Sequence, residues 1–187
     1  MGKHKLIVVA GAPASGKTRL AQRLAKETGY QRVSMDELKE AFFDVAGYYD
    51  RAWSKRIGKL AWPVFQKLVE GHLEKEESVI AEATFLWASD GPWLSHLHKT
   101  YDVELIQLWM TAYPEALRSR FIERANTIRH PGHNDALEEV IDEFDERFFS
   151  GLTYIPHPIG DRTKIIDTTD FDEFDFGEVL AFINPDK

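Results

Sequence analysis

The sequence predicts an α/β fold in which a parallel β-sheet carries helices on both faces. Candidate strands alternate with candidate helices along most of the 187 residues, as in proteins built from strand–helix–strand units. The first candidate strand, residues 5–10, is an almost continuous run of apolar and β-branched residues, which is typical of a central parallel strand covered on both faces. We therefore expect a three-layer, doubly wound sheet in a single domain spanning residues 1–187.

The first strand leads through a glycine-rich turn into a helix. Leu20 and Leu24 recur there at helical spacing, and Gly29 ends the helix. A second strand is predicted at residues 31–34. The helix that follows should begin near Asp36, whose carboxylate suits the N-terminal turn of a helix.

The middle of the chain continues the alternation. Residues 51–77 indicate a helix that Pro63 is expected to bend or interrupt. Apolar runs at 78–83 and 103–110 predict the third and fourth strands, with a helix at about 87–99 between them.

The C-terminal third predicts two helices, a fifth strand and a closing helix. Pro114 suits the first turn of a helix, a loop follows at 129–134, and a second helix runs through Phe149. Residues 164–167 predict the fifth strand, and 173–183 predict the closing helix.

Composition and charge exclude several classes of function. The formal net charge of -8 disfavours binding to long nucleic acids. The absence of cysteine excludes disulfides, thiolate metal sites and cysteine nucleophiles. The apolar run at 6–10 is too short for a signal-peptide core or a membrane span. We expect a cytoplasmic protein without a membrane partner; the oligomeric state is left open.

The turn after the first strand matches the phosphate-binding motif G-x-x-x-x-G-K-[ST]. It consists of Gly11, Ala12, Pro13, Ala14, Ser15, Gly16, Lys17 and Thr18. Glycines let backbone N–H groups turn toward phosphates, and the helix N-terminus adds partial positive charge. Lys17 should reach the β- and γ-phosphates of a nucleoside triphosphate, and the Thr18 hydroxyl should ligate Mg²⁺. The alternative, a turn that only caps a helix, is improbable at four fixed positions between a strand and a helix.

With this motif, the sequence resembles the small P-loop kinases, which include shikimate and gluconate kinases, chloramphenicol phosphotransferase, zeta toxins and polynucleotide kinase domains. The resemblance spans nearly the whole chain and includes kinase-like proteins with R-H-P-G-H in the lid. It rests on GAPASGKT, VSMDE, IAEAT, RSRFIERANTIRHPGH and DTTD. It implies a P-loop NTPase fold with five strands in the order 2-3-1-4-5, a helical lid at about 114–149, and ATP with Mg²⁺ as cofactors.

Two carboxylates follow predicted strands at the edge of a parallel sheet where ligands bind. Asp36 could accept a proton from an acceptor hydroxyl or anchor it, and the resemblance favours this role over a helix cap alone. Glu82 could serve the metal or its waters, or contact the acceptor. The alternative for Glu82 is a strand-end carboxylate that faces solvent.

Three arginines of the lid stretch are further site candidates. Arg120 and Arg124 lie four residues apart and share one helix face, and Arg129 follows in the loop. Such guanidinium groups could neutralise a transferring phosphoryl group. By resemblance, Arg120 would lie against the adenine, and Arg124 and Arg129 would approach the phosphates. The alternative is a solvated basic face paired with neighbouring glutamates.

Two further patterns have mainly structural interpretations. His130 and His133 flank a Pro-Gly turn, which favours a lid turn over a metal pair. The basic run Arg51, Lys55, Arg56 and Lys59 suggests either an amphipathic helix or a site for an anionic acceptor.

These residues together predict an ATP-dependent phosphotransferase that moves the γ-phosphate to a hydroxyl group of a small molecule. Lys17, Arg124, Arg129 and Asp36 are the expected catalytic residues. The alternative is a nucleotide-dependent switch or slow ATPase without a small-molecule acceptor. The identity of the acceptor, and the preference for ATP over other triphosphates, do not follow from the sequence.

Overall fold

One parallel sheet organises the fold. The computed structural model describes residues 3–127, 129–149, 156, 158–171 and 174–185. The strands are β1 Lys5–Gly11, β2 Gln31–Ser34, β3 Val79–Glu82, β4 Glu104–Thr111 and β5 Arg162–Asp167. They pair in parallel in the order β2-β3-β1-β4-β5. The predicted fold class and strand order are therefore confirmed.

Helices cover both faces of this sheet. They are α1 Lys17–Thr28, α2 Met35–Ala46, α3 Arg51–Leu73, α4 Trp87–Thr100, α5 Pro114–Ala125, α6 Glu138–Phe149 and α7 Phe176–Ile183, with a 3-10 turn at Pro131–His133. Side chains alternate along β1, so that Leu6 and Val8 pack with α3 and α4, and Ile7 and Val9 pack with α1 and α7. Burying each such side chain stabilises the fold by about 1.5–3 kcal/mol. The sheet is thus the middle of three layers.

Helices α5 and α6 pack together next to the glycine-rich turn. Phe121 of α5 and Phe144 of α6 stack with their ring centroids 4.6 Å apart. These rings share a buried cluster with Leu117, Val140 and Ala12, and Ala12 belongs to the turn itself. The helix pair is therefore held against the turn by apolar contacts.

Pro63 is predicted to bend or interrupt a helix. No interruption occurs, because α3 is one helix from Arg51 to Leu73 with Pro63 inside it. A proline inside a helix costs about 3 kcal/mol. Residues on both sides of it, among them Ile57, Ala61 and Phe65, are buried against the core at helical spacing. This burial stabilises α3 on both sides of Pro63.

The C-terminal elements begin at residues other than those predicted. β5 starts at Arg162, which pairs with Ile106 of β4. α7 starts at Phe176 because the Asp175 side chain accepts hydrogen bonds from the N–H groups of Gly177 and Glu178 and caps the helix. Glu173, the predicted start, lies outside the described residues.

Candidate active site

Residues 11–18 form a tight turn between β1 and α1. At Gly11, where φ is 127°, a Cβ atom would lie 2.0 Å from the carbonyl oxygen of Met110. Gly16 caps α1 with φ 88°. Only glycine fits Gly11 without moving β4, and both positive φ values favour glycine. The turn therefore lies in close contact with the C-terminal end of β4, and α1 begins directly after Gly16.

Polar contacts hold this turn from inside. Ser15 is fully buried, and its hydroxyl donates to the carbonyl oxygen of Ala12 at 2.8 Å. Thr168, which follows β5, donates its hydroxyl to the carbonyl oxygen of Ser15 at 3.1 Å. The DTTD segment thus fixes the shape of the turn.

Lys17 bends back over the turn. Its Nζ donates to the carbonyl oxygen of Ala12 at 2.7 Å. Burial lowers the pKa of Lys17 from 10.5 to about 8. An ammonium group with one neutral partner and little water is well placed to gain from a nearby anion.

Thr18, Glu82 and Arg32 form a hydrogen-bonded chain. The Thr18 hydroxyl donates to Glu82 Oε1 at 2.5 Å, and Arg32 Nη1 donates to Glu82 Oε2 at 2.9 Å. The Glu82 side chain is only 3% exposed, so the interpretation of Glu82 as a solvent-facing carboxylate is wrong. A hydroxyl oxygen backed by a carboxylate is the donor type that Mg²⁺ prefers, and these residues fit that ion.

A cleft of about 460 Å³ opens above this turn. It is lined by Pro13, Ala14, Gly16, Lys17, Thr18, Asp36, Glu40, Thr84, Arg120, Glu123, Arg124, Thr127, Arg129 and Phe171. The structure therefore brings the predicted residues of the turn, of α2 and of the lid stretch around one space. Glu82 lies behind Thr18 and is not part of the lining.

Asp36 and Arg129 form an ion pair at one end of the cleft. Arg129 Nη1 lies 2.7 Å from Asp36 Oδ2, and Arg129 Nε lies 2.8 Å from Asp135 Oδ2. Burial raises the pKa of Asp36 and is the largest single effect, but the charge and hydrogen bond of Arg129, together with other nearby positive charges, outweigh it, so the pKa lies well below its usual range. The N-cap of α2 is Ser34, not Asp36. The Asp36 side chain remains 45% exposed to the cleft.

His133 of the R-H-P-G-H sequence links Arg129 to Glu40. Arg129 Nη2 lies 3.0 Å from His133 Nδ1, and His133 Nε2 lies 2.9 Å from Glu40 Oε1. Because arginine can only donate, Nδ1 accepts and Nε2 carries the proton. Burial and the Arg129 charge lower the pKa of His133 to about 2, so the ring is neutral. Burial raises the pKa of Glu40.

The turn that carries His133 is docked on α2. A Cβ atom added to Gly132 would lie 2.4 Å from Cδ2 of Phe43. His130 stacks on the same phenyl ring, with centroids 5.5 Å apart. Within the described residues, no group of three or more histidine or acidic side chains could hold a metal ion.

Arg120 and Arg124 approach the cleft from α5. The Arg120 guanidinium lies 4.1 Å from the centre of the Phe171 ring, and its Nη2 donates to the carbonyl oxygen of Thr169 at 2.8 Å. Arg124 Nη2 lies 3.4 Å from Asp135 Oδ2. In the described part of the chain, Arg120 Nη1 and Arg124 Nε are buried without a hydrogen-bond partner. Neither arginine belongs to a solvated face paired with neighbouring glutamates.

Sequence reasoning missed five residues that shape this site: Arg32, Glu40, Asp135, His133 as a bonded link, and Phe171. Glu40 lies one helical turn after Asp36, and that spacing could have indicated it. Arg32 carries no local signal, because its partner Glu82 lies fifty positions later, and the contact of Asp135 with Arg129 depends on how the loop between them folds. The basic run on α3 is also partly paired, since Arg51 and Lys55 both contact Glu143 of α6.

Among the helices that the structure describes, none has the length and apolarity needed to cross a bilayer. Residues 6–150 match the model of the AAA domain family. Comparison with curated protein sequences gave no significant match.

Three solved structures illustrate the structural similarity. A candidate kinase from Chloroflexus aurantiacus has a TM-score of 0.87 and 29% identity, over 99% of this chain and 98% of that one. A sugar kinase from Janibacter sp. has a TM-score of 0.61 and 14% identity, over 98% and 95%. A shikimate kinase from Acinetobacter baumannii, in complex with shikimate, has a TM-score of 0.51 and 12% identity, over 99% and 95%. The last two share the fold.

Proposed function

Because this chain belongs to the AAA domain family, of the P-loop nucleotide-binding type, we propose that it is an ATP-dependent phosphotransferase acting on a hydroxyl group of a small molecule. One observation carries the proposal: a single cleft is lined by Lys17 and Thr18, by Arg124, and by the carboxylate of Asp36. Kinases among the similar structures support the same reaction class.

The phosphate end of the cleft is made by the turn, α1 and α5. Backbone N–H groups of the turn and the N-terminus of α1 would hold the phosphates. Lys17 would exchange its carbonyl partner for phosphate oxygens, and Arg124 would neutralise charge on the transferring group through its unpartnered Nε. The Arg120 guanidinium stacks directly on the Phe171 ring, and a planar base would stack on an outer face of this pair.

Thr18 would ligate Mg²⁺, and Glu82 would hold Thr18 and the waters of the ion. When bound, the ion would supply charge neutralisation for the β- and γ-phosphates. Residues 114–149 would act as the lid of a single domain, since α5 and α6 already pack on Ala12.

Asp36 would orient the acceptor. Its lowered pKa makes it a weak base at neutral pH. Phosphoryl transfer passes through a loose transition state that demands little proton abstraction. A carboxylate fixed by Arg129 and open to the cleft is therefore suited to accepting a hydrogen bond from the attacking hydroxyl.

The direct test is a panel of hydroxyl compounds with ATP and Mg²⁺, in which ADP release and phosphorylated product are both followed. We expect the two products in equal amounts for at least one compound. ADP release that no compound accelerates, without phosphorylated product, would contradict the proposal and favour a slow ATPase.

Replacing Arg124 by alanine should lower kcat by about 10²-fold while apparent ATP affinity changes little, because the group acts on charge that develops in the transition state. The matched control is Arg118→Ala on the same helix, where Arg118 pairs with Asp145 outside the cleft.

Arg129→Ala should also lower kcat, and it should reduce the melting temperature because Asp36 and Asp135 lose their shared partner. Unchanged turnover in both variants would remove the lid arginines from the mechanism.

ATP binding should take up protons near pH 8. Since the pKa of Lys17 is about 8, roughly half of the molecules carry the proton at that pH. Bound phosphates favour the charged form, so binding should take up about half a proton at pH 8 and close to none from Lys17 at pH 6.5. Calorimetry in buffers of different ionisation enthalpy measures this number. Lys39→Met is the control, because the pKa of Lys39 is also about 8 and Lys39 does not line the cleft; loss of the uptake in that variant would contradict the assignment.

A further inference from the structure

Part of the cleft lining comes from four side chains outside the turn at residues 11–18. Asp36 and Glu40 come from α2, Thr84 follows β3, and Arg129 reaches across from the lid stretch. We call this the acceptor end. Its charge balance bears on which class of acceptor the proposed kinase would take.

The positive charge at the acceptor end is already matched by protein carboxylates. Arg129, whose side chain is 14% exposed, contacts Asp36 at 2.7 Å, Asp135 at 2.8 Å and Glu40 at 3.7 Å. Its remaining nitrogen donates to the neutral ring of His133. Arg129 therefore has little capacity left to bind a carboxylate or phosphate on an acceptor.

Three neighbouring cations, Lys39, Arg51 and Lys55, are also held by other groups, while Lys17 and Arg124 line the cleft and would bind the phosphates of ATP. The Lys39 ammonium donates to the Ser54 hydroxyl at 2.9 Å and is not part of the cleft lining. Arg51 and Lys55 are paired with Glu143, at 2.7 Å and 2.5 Å. None of the four basic residues on α3 lines the cleft, so this run does not supply a site for an anionic acceptor there.

Negative charge, in contrast, remains open to the cleft. The side chains of Asp36 and Glu40 are 45% and 32% exposed, and both line it. Glu40 accepts a hydrogen bond from the neutral His133 ring at 2.9 Å and lies 3.7 Å from Arg129 Nη1, which Asp36 and Asp135 contact more closely, so the charge of Glu40 is only partly compensated. The raised pKa of Glu40 means that a cation brought close to it would stabilise its ionised form.

We propose that the acceptor is a hydroxyl compound without negative charge, with an amine-bearing compound preferred, and that Glu40 reads the charge of the acceptor while Asp36 holds its hydroxyl group. This inference rests on the proposed phosphotransferase function. Chemically, an amino sugar or amino polyol fits the acceptor end, and a sugar acid or sugar phosphate does not.

The test is transfer from ATP to matched triplets that share one carbon skeleton: a neutral polyol, its amino derivative and its carboxylate, drawn from hexose, pentose and cyclitol series. In the series that reacts, we expect kcat/KM for the carboxylate to be at least about tenfold below that for the amino compound. Equal rates within a triplet, or preference for the carboxylate, would overturn the acceptor class and leave the kinase proposal standing. Transfer to no member, with ATP still bound, would overturn the kinase proposal itself.

Glu40→Gln separates charge reading from simple support of the site. It should lower kcat/KM for the amino compound more than for the neutral one, so the ratio between them falls; Glu40→Asp should restore part of the ratio. The control is Asp44→Asn, which removes a charge from the same helix where the side chain is 72% exposed. An unchanged ratio in Glu40→Gln would overturn the role of Glu40, as would an equal fall in Asp44→Asn.

Discussion

Lys17→Ala should lower kcat/KM for phosphate transfer by at least about 10²- to 10³-fold, the scale for losing one preorganised group that stabilises transition-state charge. Triphosphate binding should weaken as well, because the ammonium contacts the phosphates in the ground state. Lys17 has no other cation beside it in the turn at 11–18. Lys26→Ala, at an exposed position in the last turn of the same helix, is the control. Wild-type turnover and nucleotide affinity in Lys17→Ala would refute the phosphate site.

A measurement of thermal stability distinguishes the loss of activity at Lys17 from unfolding of the chain. The pKa of Lys17 in the folded chain, about 8, is below its ordinary value of 10.5. Folding therefore opposes the charged form, and this cost is fully present below pH 8 and disappears as the pH rises toward 10.5. At pH 7, Lys17→Met, which keeps the apolar stem without the charge, should melt at the same or a higher temperature than the wild type. An earlier melting transition would show that the lost activity reflects a damaged fold.

Asp36→Asn should reduce phosphate transfer by about 10- to 10²-fold, the scale for losing a hydrogen bond to a charged group. The amide oxygen can still accept from Arg129 Nη1, so the ion pair becomes a hydrogen bond and the site keeps its shape. ATP affinity, measured by calorimetry, should stay close to that of the wild type.

Asp135→Asn is the matched control for this variant. Asp135 contacts the same arginine at 2.8 Å, but it is buried and does not line the cleft. Its replacement should lower stability more than transfer. Full transfer activity in Asp36→Asn would exclude Asp36 from the mechanism, and equal losses of transfer in both variants would show that Asp36 serves only to position Arg129.

The phosphate turn and the sheet could be predicted because their determinants are local. The eight residues from Gly11 to Thr18 carry the glycines that the close approach to Met110 requires, and the buried run of β1 lies directly before them. The strand order was predicted from the family resemblance, because a single sequence does not show which strands are neighbours.

The arginine partners of Glu82 and Asp36 could not be predicted, because each of these two pairs joins distant parts of the chain. Glu82 is held by Arg32, fifty positions earlier, and Asp36 by Arg129, ninety-three positions later. Each carboxylate was found from its place after a strand, but its burial and partner depend on the assembled sheet. The binding of ATP and Mg²⁺, the single-domain boundary at 1–187 and the cytoplasmic location stay predictions.

The contact between Gly132 and Phe43 has a consequence for inheritance. Any side chain at position 132 would meet the Phe43 ring, since even a Cβ atom would lie 2.4 Å from it. The two positions are therefore constrained to change together: a methyl group at 132 is tolerated only after the residue at 43 has become smaller. Descendants of this gene should thus reach alanine at 132 by one order of mutation and not the other, and the pair should vary as a unit across lineages.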